Sequence, residues 1–332
     1  MKTANAIKLL VVTDNDAIPA EHPFVVTETH INEIRRASIP KVSVAVVHST
    51  QAAEQHSADA NIVLGFPATI PDCQKLLRTQ WIHSLSSGLE ALLTPELMRS
   101  SILVSNSAGV HATPVAEHVL GFMLMFTRRF HQAFHKQARR VWERDLSLGE
   151  LRGKNVLIVG AGHIGMEVGR LASCFGARIS AITRTIKDRP MFVEHMGRTE
   201  DLDSLLPMAD FVVLALPYTQ TTHHLIDTAR LRLMKPTSVI INVGRGGLIN
   251  QEDLMFALQE QRIHGAALDV STVEPLPSDH QLWDMENVII TSHHASLSDQ
   301  YMNRAIALFC KNLQAFLRGE PLPTLVNKAL GY

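Results

Sequence analysis

The chain has 332 residues, 46% of them hydrophobic and 19% charged, a composition that fits a globular protein and a length that suits two domains of about 100 to 200 residues with a cleft between them. No stretch approaches the roughly 20 uninterrupted apolar residues of a spanning helix, and a net charge of −1 is not that of a nucleic-acid binder with its clustered basic face. The chain is therefore read as neither disordered nor membrane-embedded, and no nucleic-acid partner is expected.

Met1 to Val12 holds one apolar run, beginning after Ala6 and ending at Thr13, which is expected as a strand; a signal peptide would need a longer apolar region and a small-residue cleavage site. Leu9–Thr13, Val42–Val47, Ile62–Leu64, Trp81–Leu85 and Ile102–Val104 then alternate with polar or helical segments. Strands separated by crossovers predict a parallel sheet covered on both faces. Pro114 is expected to open a helix over Val115–Phe130, with Glu117 near its positive end. The basic residues from Arg128 to Arg144 (Arg128, Arg129, Lys136, Arg139, Arg140 and Arg144) are spaced as a solvated helix face. A second alternating series follows: Asn155–Val159, Arg178–Ile182, Phe211–Leu216, Val239–Val243, Gly265–Asp269 and Val288–Thr291. Six strands after one glycine-rich turn are the count of a complete dinucleotide-binding sheet. A last helix over about Gln300–Arg318 is expected to return to the first lobe.

Cys73, Cys174 and Cys310 are odd in number, far apart and in neither metal nor redox spacing, so they read as reduced thiols of a cytoplasmic protein, and no metal is expected. The 17 histidines are scattered, and most are expected to be surface or hydrogen-bonded groups.

Leu157-Ile158-Val159 runs into Gly160-Ala161-Gly162-His163-Ile164-Gly165 and then a helical segment, Met166 to Phe175. In G-x-G-x-x-G the first glycine makes the tight turn, the second admits a pyrophosphate to the backbone, and the third lets helix and strand pack. The helix N-terminus supplies free N–H groups and a favourable dipole. NAD-specific sheets carry an Asp or Glu about 20 residues on, to bond the ribose 2′-hydroxyl. This chain has Thr183-Arg184-Thr185 there, a forked cation and two hydroxyls suited to a 2′-phosphate, so NADP(H) is expected over NAD(H). Leu216, Pro217 and Val243, at the carboxyl ends of their strands, complete the expected cofactor lining.

Three later segments also follow predicted strands: Asn242-Val243-Gly244-Arg245-Gly246-Gly247, Leu268 to Pro277, and Thr291-Ser292-His293-His294-Ala295. Hydride transfer to a carbonyl leaves charge on its oxygen, and a proton donor with a pKa near neutrality answers it; His293 is the candidate. A carboxylate at Glu274 would fix the imidazole's tautomer and ring orientation. Arg245 can grip a substrate carboxylate and polarise the neighbouring carbonyl while staying charged.

With these motifs in order, the chain resembles the D-isomer-specific 2-hydroxyacid dehydrogenases over almost its whole length. The signatures are Gly160 to Gly165, Asn242 to Gly247, Ala267 to Pro277, and His293 with Ala295. The resemblance implies that Arg245, Glu274 and His293 are the catalytic triad, and that Asp269 contacts the nicotinamide carboxamide. It implies that backbone N–H groups of Ser86, Ser87, Gly88 and Leu89 meet the substrate carboxylate. It further implies an α/β fold with a Rossmann-type doubly wound sheet, residues 109–298, inserted into a smaller flavodoxin-like catalytic domain made of 1–108 and 299–332. A homodimer through the cofactor lobe is expected, with Val110 to Trp142 near its interface. The implied activity is reduction of a small 2-oxo acid, of the glyoxylate or hydroxypyruvate kind, to the D-2-hydroxy acid.

Two departures from the family pattern matter. His294 replaces a frequent aliphatic residue, leaving His294 as the alternative to His293, and the missing acid at Thr183 moves the expectation from NAD to NADP. Formate dehydrogenases carry glutamine where Glu274 stands, and a regulated phosphoglycerate dehydrogenase would need many more residues after the last helix. The reading from another class is a dinucleotide-sensing module that binds NADPH without consuming it.

Overall fold

The structure is a computed structural model that describes residues 7–13, 18–19, 22–38, 42–144, 147–186 and 189–329; the Met1–Ala6 part of the expected first strand region, and Tyr332, lie outside the described residues. Two compact units are present, Met1–Val110 with Leu297–Tyr332, and His111–Ser296.

In the first unit β1 (Ile7–Val12), α1 (Glu28–Ser38), β2 (Val42–Val47), α2 (Thr50–Ser57), β3 (Ile62–Gly65), β4 (Trp81–Ser84), α3 (Pro95–Arg99) and β5 (Leu103–Asn106) follow one another. The strands form a parallel sheet in the order β2-β1-β3-β4-β5, the flavodoxin order. Every residue of β3 and β4 is buried, so β3 reads as a short apolar run without alternation, whereas β4, Trp-Ile-His-Ser, also buries two polar side chains.

The second unit opens with α4 (Ala112–Thr127) and α5 (Phe130–Ala138), then β6 (Asn155–Val159), α6 (His163–Cys174), β7 (Arg178–Ile182), β8 (Val193–Gly197) and α7 (Leu202–Leu205). It continues with β9 (Phe211–Leu214), α8 (Thr228–Leu233), β10 (Val239–Asn242), α9 (Gln251–Gln259), β11 (Gly265–Leu268) and β12 (Val288–Ile290). α10 (Tyr301–Arg318) then packs on α1 of the first unit. The second sheet is parallel throughout, in the order β12-β11-β10-β9-β6-β7-β8. Its direction of growth reverses between β6 and β9, and ligands of such sheets bind at the carboxyl ends beside that reversal. One apolar cluster on each face, around Ile158 and Ile241 and around Val212 and Ile240, fixes the sheet.

Five expectations are corrected. The sheet has seven strands, not six: β8, Val-Glu-His-Met-Gly, is an edge strand with two exposed positions and so lacks the apolar run that marks a central strand. α4 begins at Ala112, two residues before Pro114, and Pro114 occupies the third helical position, still inside the first turn where its missing N–H costs nothing. Glu117 accordingly falls beyond that first turn. The apolar segment breaks after Thr127, at Arg129 with φ 52°, and the basic stretch is no continuous helical face, because α5 ends at Ala138 before Arg139, Arg140 and Arg144.

Candidate active site

The glycine-rich loop sits at the switch between β6 and β9. Gly160 has φ 110°, and a Cβ there would lie 2.5 Å from Ala215 O at the end of β9, so only glycine can make this turn. The N–H groups of Gly160 and Ala161 are held by Ile182 O, both at 3.0 Å. Those of His163, Ile164 and Gly165 precede the first intrahelical bond, Met166 N to Gly162 O at 2.9 Å. A Cβ on Gly162 would meet nothing within 4 Å, so an exposed backbone faces open space at a helix N-terminus. The donor set and the open backbone fit a dinucleotide pyrophosphate.

At the end of β7, Thr183 N donates to Gly197 O at 3.0 Å, Thr183 Oγ1 donates to Thr185 O at 3.1 Å, and Arg184 is exposed. The unforeseen β8 ends alongside, since Ile182 pairs with Gly197, and brings exposed Arg198 next to this turn. Arg198 was legible only through that strand. Leu216 is half-buried, Pro217 exposed and Val243 buried, each just past β9 or β10.

The Arg245 loop is tied by its own sequence: Asn242 Nδ2 donates to Arg245 O at 2.9 Å and Asn242 Oδ1 accepts Gly244 N at 3.1 Å. The half-buried guanidinium donates through Nη1 to Gly244 O at 2.8 Å. Gly246 packs so closely on the next loop that a Cβ would lie 2.1 Å from the Ser271 carbonyl. Glycine here therefore presses the loop that carries Arg245 against the loop that carries Glu274. Within the latter, Glu274 Oε1 accepts Ser271 N at 3.1 Å, and Oε2 contacts His293 Nδ1 at 2.7 Å. His293, and not His294, makes this contact.

Asp269 builds the turn on which His293 sits. It is 3% exposed, its carbonyl accepts His293 N at 2.8 Å, and its Oδ1 accepts Thr291 Oγ1 at 2.6 Å and His294 N at 3.1 Å. Ala295 N donates to both carboxylate oxygens, at 3.2 and 3.1 Å. These bonds hold His293 at φ 52°, a left-handed conformation that a non-glycine residue adopts only when its surroundings fix it.

Two histidines of the second unit escaped the sequence reading. His118, on α4, contacts Thr291 Oγ1 at 3.1 Å and lies 3.9 Å from Asp269 Oδ1; burial holds its pKa below the usual value, against the pull of Asp269. His111, immediately before α4, is buried and pushed down to about 4, first by burial and then by the positive charge of Arg245, while a bond to the Ser296 backbone opposes the shift. No motif spacing marks either residue, because the packing of α4 within the second unit brings them to the site from far along the chain.

Ser86–Leu89 belongs to the first unit, just after β4. Ser86 N donates to Ser84 Oγ at 3.1 Å, Asn106 Nδ2 donates to Ser87 O at 3.0 Å, Gly88 is half-buried and Leu89 buried.

Residues 120–295 match the family model described as D-isomer specific 2-hydroxyacid dehydrogenase, NAD binding domain. A glyoxylate reductase of Thermofilum pendens is 37% identical over 253 residues, covering 74% of each chain. A glyoxylate reductase of Pyrococcus furiosus is 34% identical over 259 residues, 76% of each chain. Among solved structures, a D-isomer specific 2-hydroxyacid dehydrogenase family protein from Aeromonas salmonicida superposes with a TM-score of 0.84 at 28% identity, covering 98% of this chain and 100% of that one.

Proposed function

The chain belongs to the D-isomer-specific 2-hydroxyacid dehydrogenase family, and from that premise we propose that it reduces a small 2-oxo acid, of the glyoxylate or hydroxypyruvate kind, to the D-2-hydroxy acid at the expense of NADPH. The observation that carries the reading is the 2.7 Å contact of Glu274 Oε2 with His293 Nδ1. Bound NADPH supplies the hydride. The remaining work falls to the chain. Gly162, His163, Ile164 and Gly165 hold the pyrophosphate beyond the turn that Gly160 makes, and Leu216, Pro217, Val243 and Asp269 line the nicotinamide end. Thr183, Arg184 and Thr185 take the 2′-phosphate, joined by Arg198, with no carboxylate in that turn to repel it.

Arg245 binds the substrate carboxylate and polarises the carbonyl beside it, and the family resemblance adds backbone N–H groups of Ser87, Gly88 and Leu89, that of Ser86 being engaged by Ser84 Oγ. Glu274 fixes the proton of His293 on Nδ1, so the second ring proton, on Nε2, is the one given to the nascent alkoxide. The positive charge that remains on the acid before transfer is balanced by Glu274.

Similarity to glyoxylate reductases supports the substrate class. A homodimer is part of the proposal, supported by Phe134 at 58% and Trp142 at 93% exposure in the segment expected near the interface. Three unbridged cysteines support a cytoplasmic setting.

The test is the initial rate of nicotinamide absorbance loss with NADPH and NADH in parallel against glyoxylate, hydroxypyruvate, pyruvate and bulkier 2-oxo acids. Turnover of glyoxylate or hydroxypyruvate that favours NADPH is expected. NADPH binding without turnover of any acid would replace the reductase reading with the sensing one.

A further inference from the structure

Beside the proposed proton donor lies a second cluster, of which the proposed reduction uses only Asp269. His118 on α4, Asp269 after β11 and His294 after β12 each offer one ligand atom, and these atoms all lie within 4.8 Å of one another. We infer that these three side chains form a binding site for one divalent transition-metal ion of the zinc class. Two imidazoles and a carboxylate on one face are a donor set suited to such ions, with the remaining positions open to water.

The geometry is that of a site largely assembled. Zinc bonds to histidine nitrogen and carboxylate oxygen run about 2.0–2.2 Å, so two ligands of one ion lie no more than roughly 4.3 Å apart. His118 Nε2 is 3.9 Å from Asp269 Oδ1, already inside that limit. The ring of His294 is 5.4 Å from that of His118, centroid to centroid and nearly perpendicular to it. His294 is exposed and can close the remaining gap by a side-chain rotation, whereas the other two ligands are held in place. Asp269 is oriented by Thr291 Oγ1, His294 N and Ala295 N, all of which reach Oδ1, the oxygen 3.9 Å from His118; Oδ2 accepts, among the described residues, from Ala295 N alone, at 3.1 Å, and is the oxygen with a lone pair to offer a metal. His118 is steadied by an edge-on contact with Phe122, ring centroids 4.5 Å apart. Its Nε2 contacts Thr291 Oγ1 at 3.1 Å, so ligation moves the ring proton to Nδ1 and exchanges that bond for the ion. The donors that orient Asp269 are outer partners of the kind that tune metal affinity.

Asp269 is shared with the proposed nicotinamide contact, so an ion on this cluster excludes NADPH. Only that consequence rests on the reductase reading; the site itself does not.

The experiment titrates zinc chloride into the cofactor-free full chain by calorimetry, and cobalt chloride in parallel by visible absorption, for the wild type, His118→Gln, His294→Gln and the double variant. Melting curves confirm that each variant is folded, and His294→Gln, at an exposed position, keeps the test open should His118→Gln not fold. One ion per chain is expected, with affinity reduced at least tenfold by either substitution and the cobalt absorption lost in the double variant. Unchanged affinity in His294→Gln, equal binding by the double variant, or no binding to the wild type overturns the site. Because no substrate or cofactor is present, a chain that fails to turn over any 2-oxo acid can still bind the ion, and the two failures are distinct. If NADPH added to the zinc-loaded chain leaves zinc affinity unchanged, the exclusion is refuted while the site stands.

Discussion

Replacing Glu274 with glutamine keeps the shape of the side chain and removes one acceptor, and the surroundings make that loss specific. One carboxylate oxygen takes Ser271 N at 3.1 Å and the other meets His293 Nδ1 at 2.7 Å. A carboxamide has a single oxygen. If it faces Ser271 N, its NH2 group faces Nδ1 and selects the neutral tautomer with the proton on Nε2, a far weaker acid than imidazolium. If it faces Nδ1, the NH2 group opposes the Ser271 N–H. A charge-assisted hydrogen bond contributes about 1.5–3 kcal/mol and a neutral one about 1. The difference is therefore about 0.5–2 kcal/mol, and the donor conflict adds about 1 kcal/mol at the low end of the cost of an unmet donor. The side chains of His293 and Glu274 are 45% and 39% exposed, so solvent screening favours the lower figures. A total of about 1.5 kcal/mol corresponds to roughly a tenfold fall in kcat. KM for the 2-oxo acid should hold within about twofold, because Arg245 is untouched. Steady-state kinetics with NADPH at neutral pH measures both, and a kcat within twofold of the wild type would refute the role given to Glu274.

The other expectations are independent of one another. His293→Ala should lower kcat at least about a hundredfold, while His294→Ala stays within a few-fold; the reverse ranking in steady-state assays would transfer the acid to His294. Arg245→Gln should raise KM and lower kcat together, and unchanged kinetics would remove Arg245 from the site. Thr183→Asp with Arg184→Ala should move the ratio of kcat/KM for NADPH over NADH toward NADH by at least tenfold, and an unchanged ratio would show that the 2′-phosphate lies elsewhere. In the first unit, burial holds His83 at about 3, against 6.5 in an open chain. The unfolded state alone takes up that proton, so stability present above pH 6.5 is lost as the pH falls from there toward 3. Between pH 7 and pH 5 the loss is about 2 kcal/mol. Denaturant unfolding followed by the fluorescence of buried Trp81 should show this pH dependence shrinking by that amount in His83→Asn, and an equal dependence in both proteins would contradict it.

Sequence patterning reached β2, β6 and β7, whose spans coincide with those predicted, because each is a largely apolar run, even β2, an edge strand with two exposed positions. It failed where an edge strand has no such run, as in β8, and where helix starts depend on turn geometry, as at Ala112. The motif residues were legible because each follows a strand, and strand ends converge in a parallel sheet. What escaped were the side chains that support them. His111, His118 and Arg198 have no periodicity or spacing to announce them; each matters only through a neighbour that folding supplies, Arg245, Asp269 and Thr183 respectively.

The contact at Gly246 has a consequence for how such a protein can change. With no room for even a methyl group between the two loops, Arg245 and the Glu274–His293 pair are packed as one jaw. On the proposed reaction, a lineage that gains a bulkier substrate could not widen that jaw on one side without disturbing proton delivery on the other. New appetites must arise from residues outside these loops, leaving the chemistry as an inherited, indivisible module.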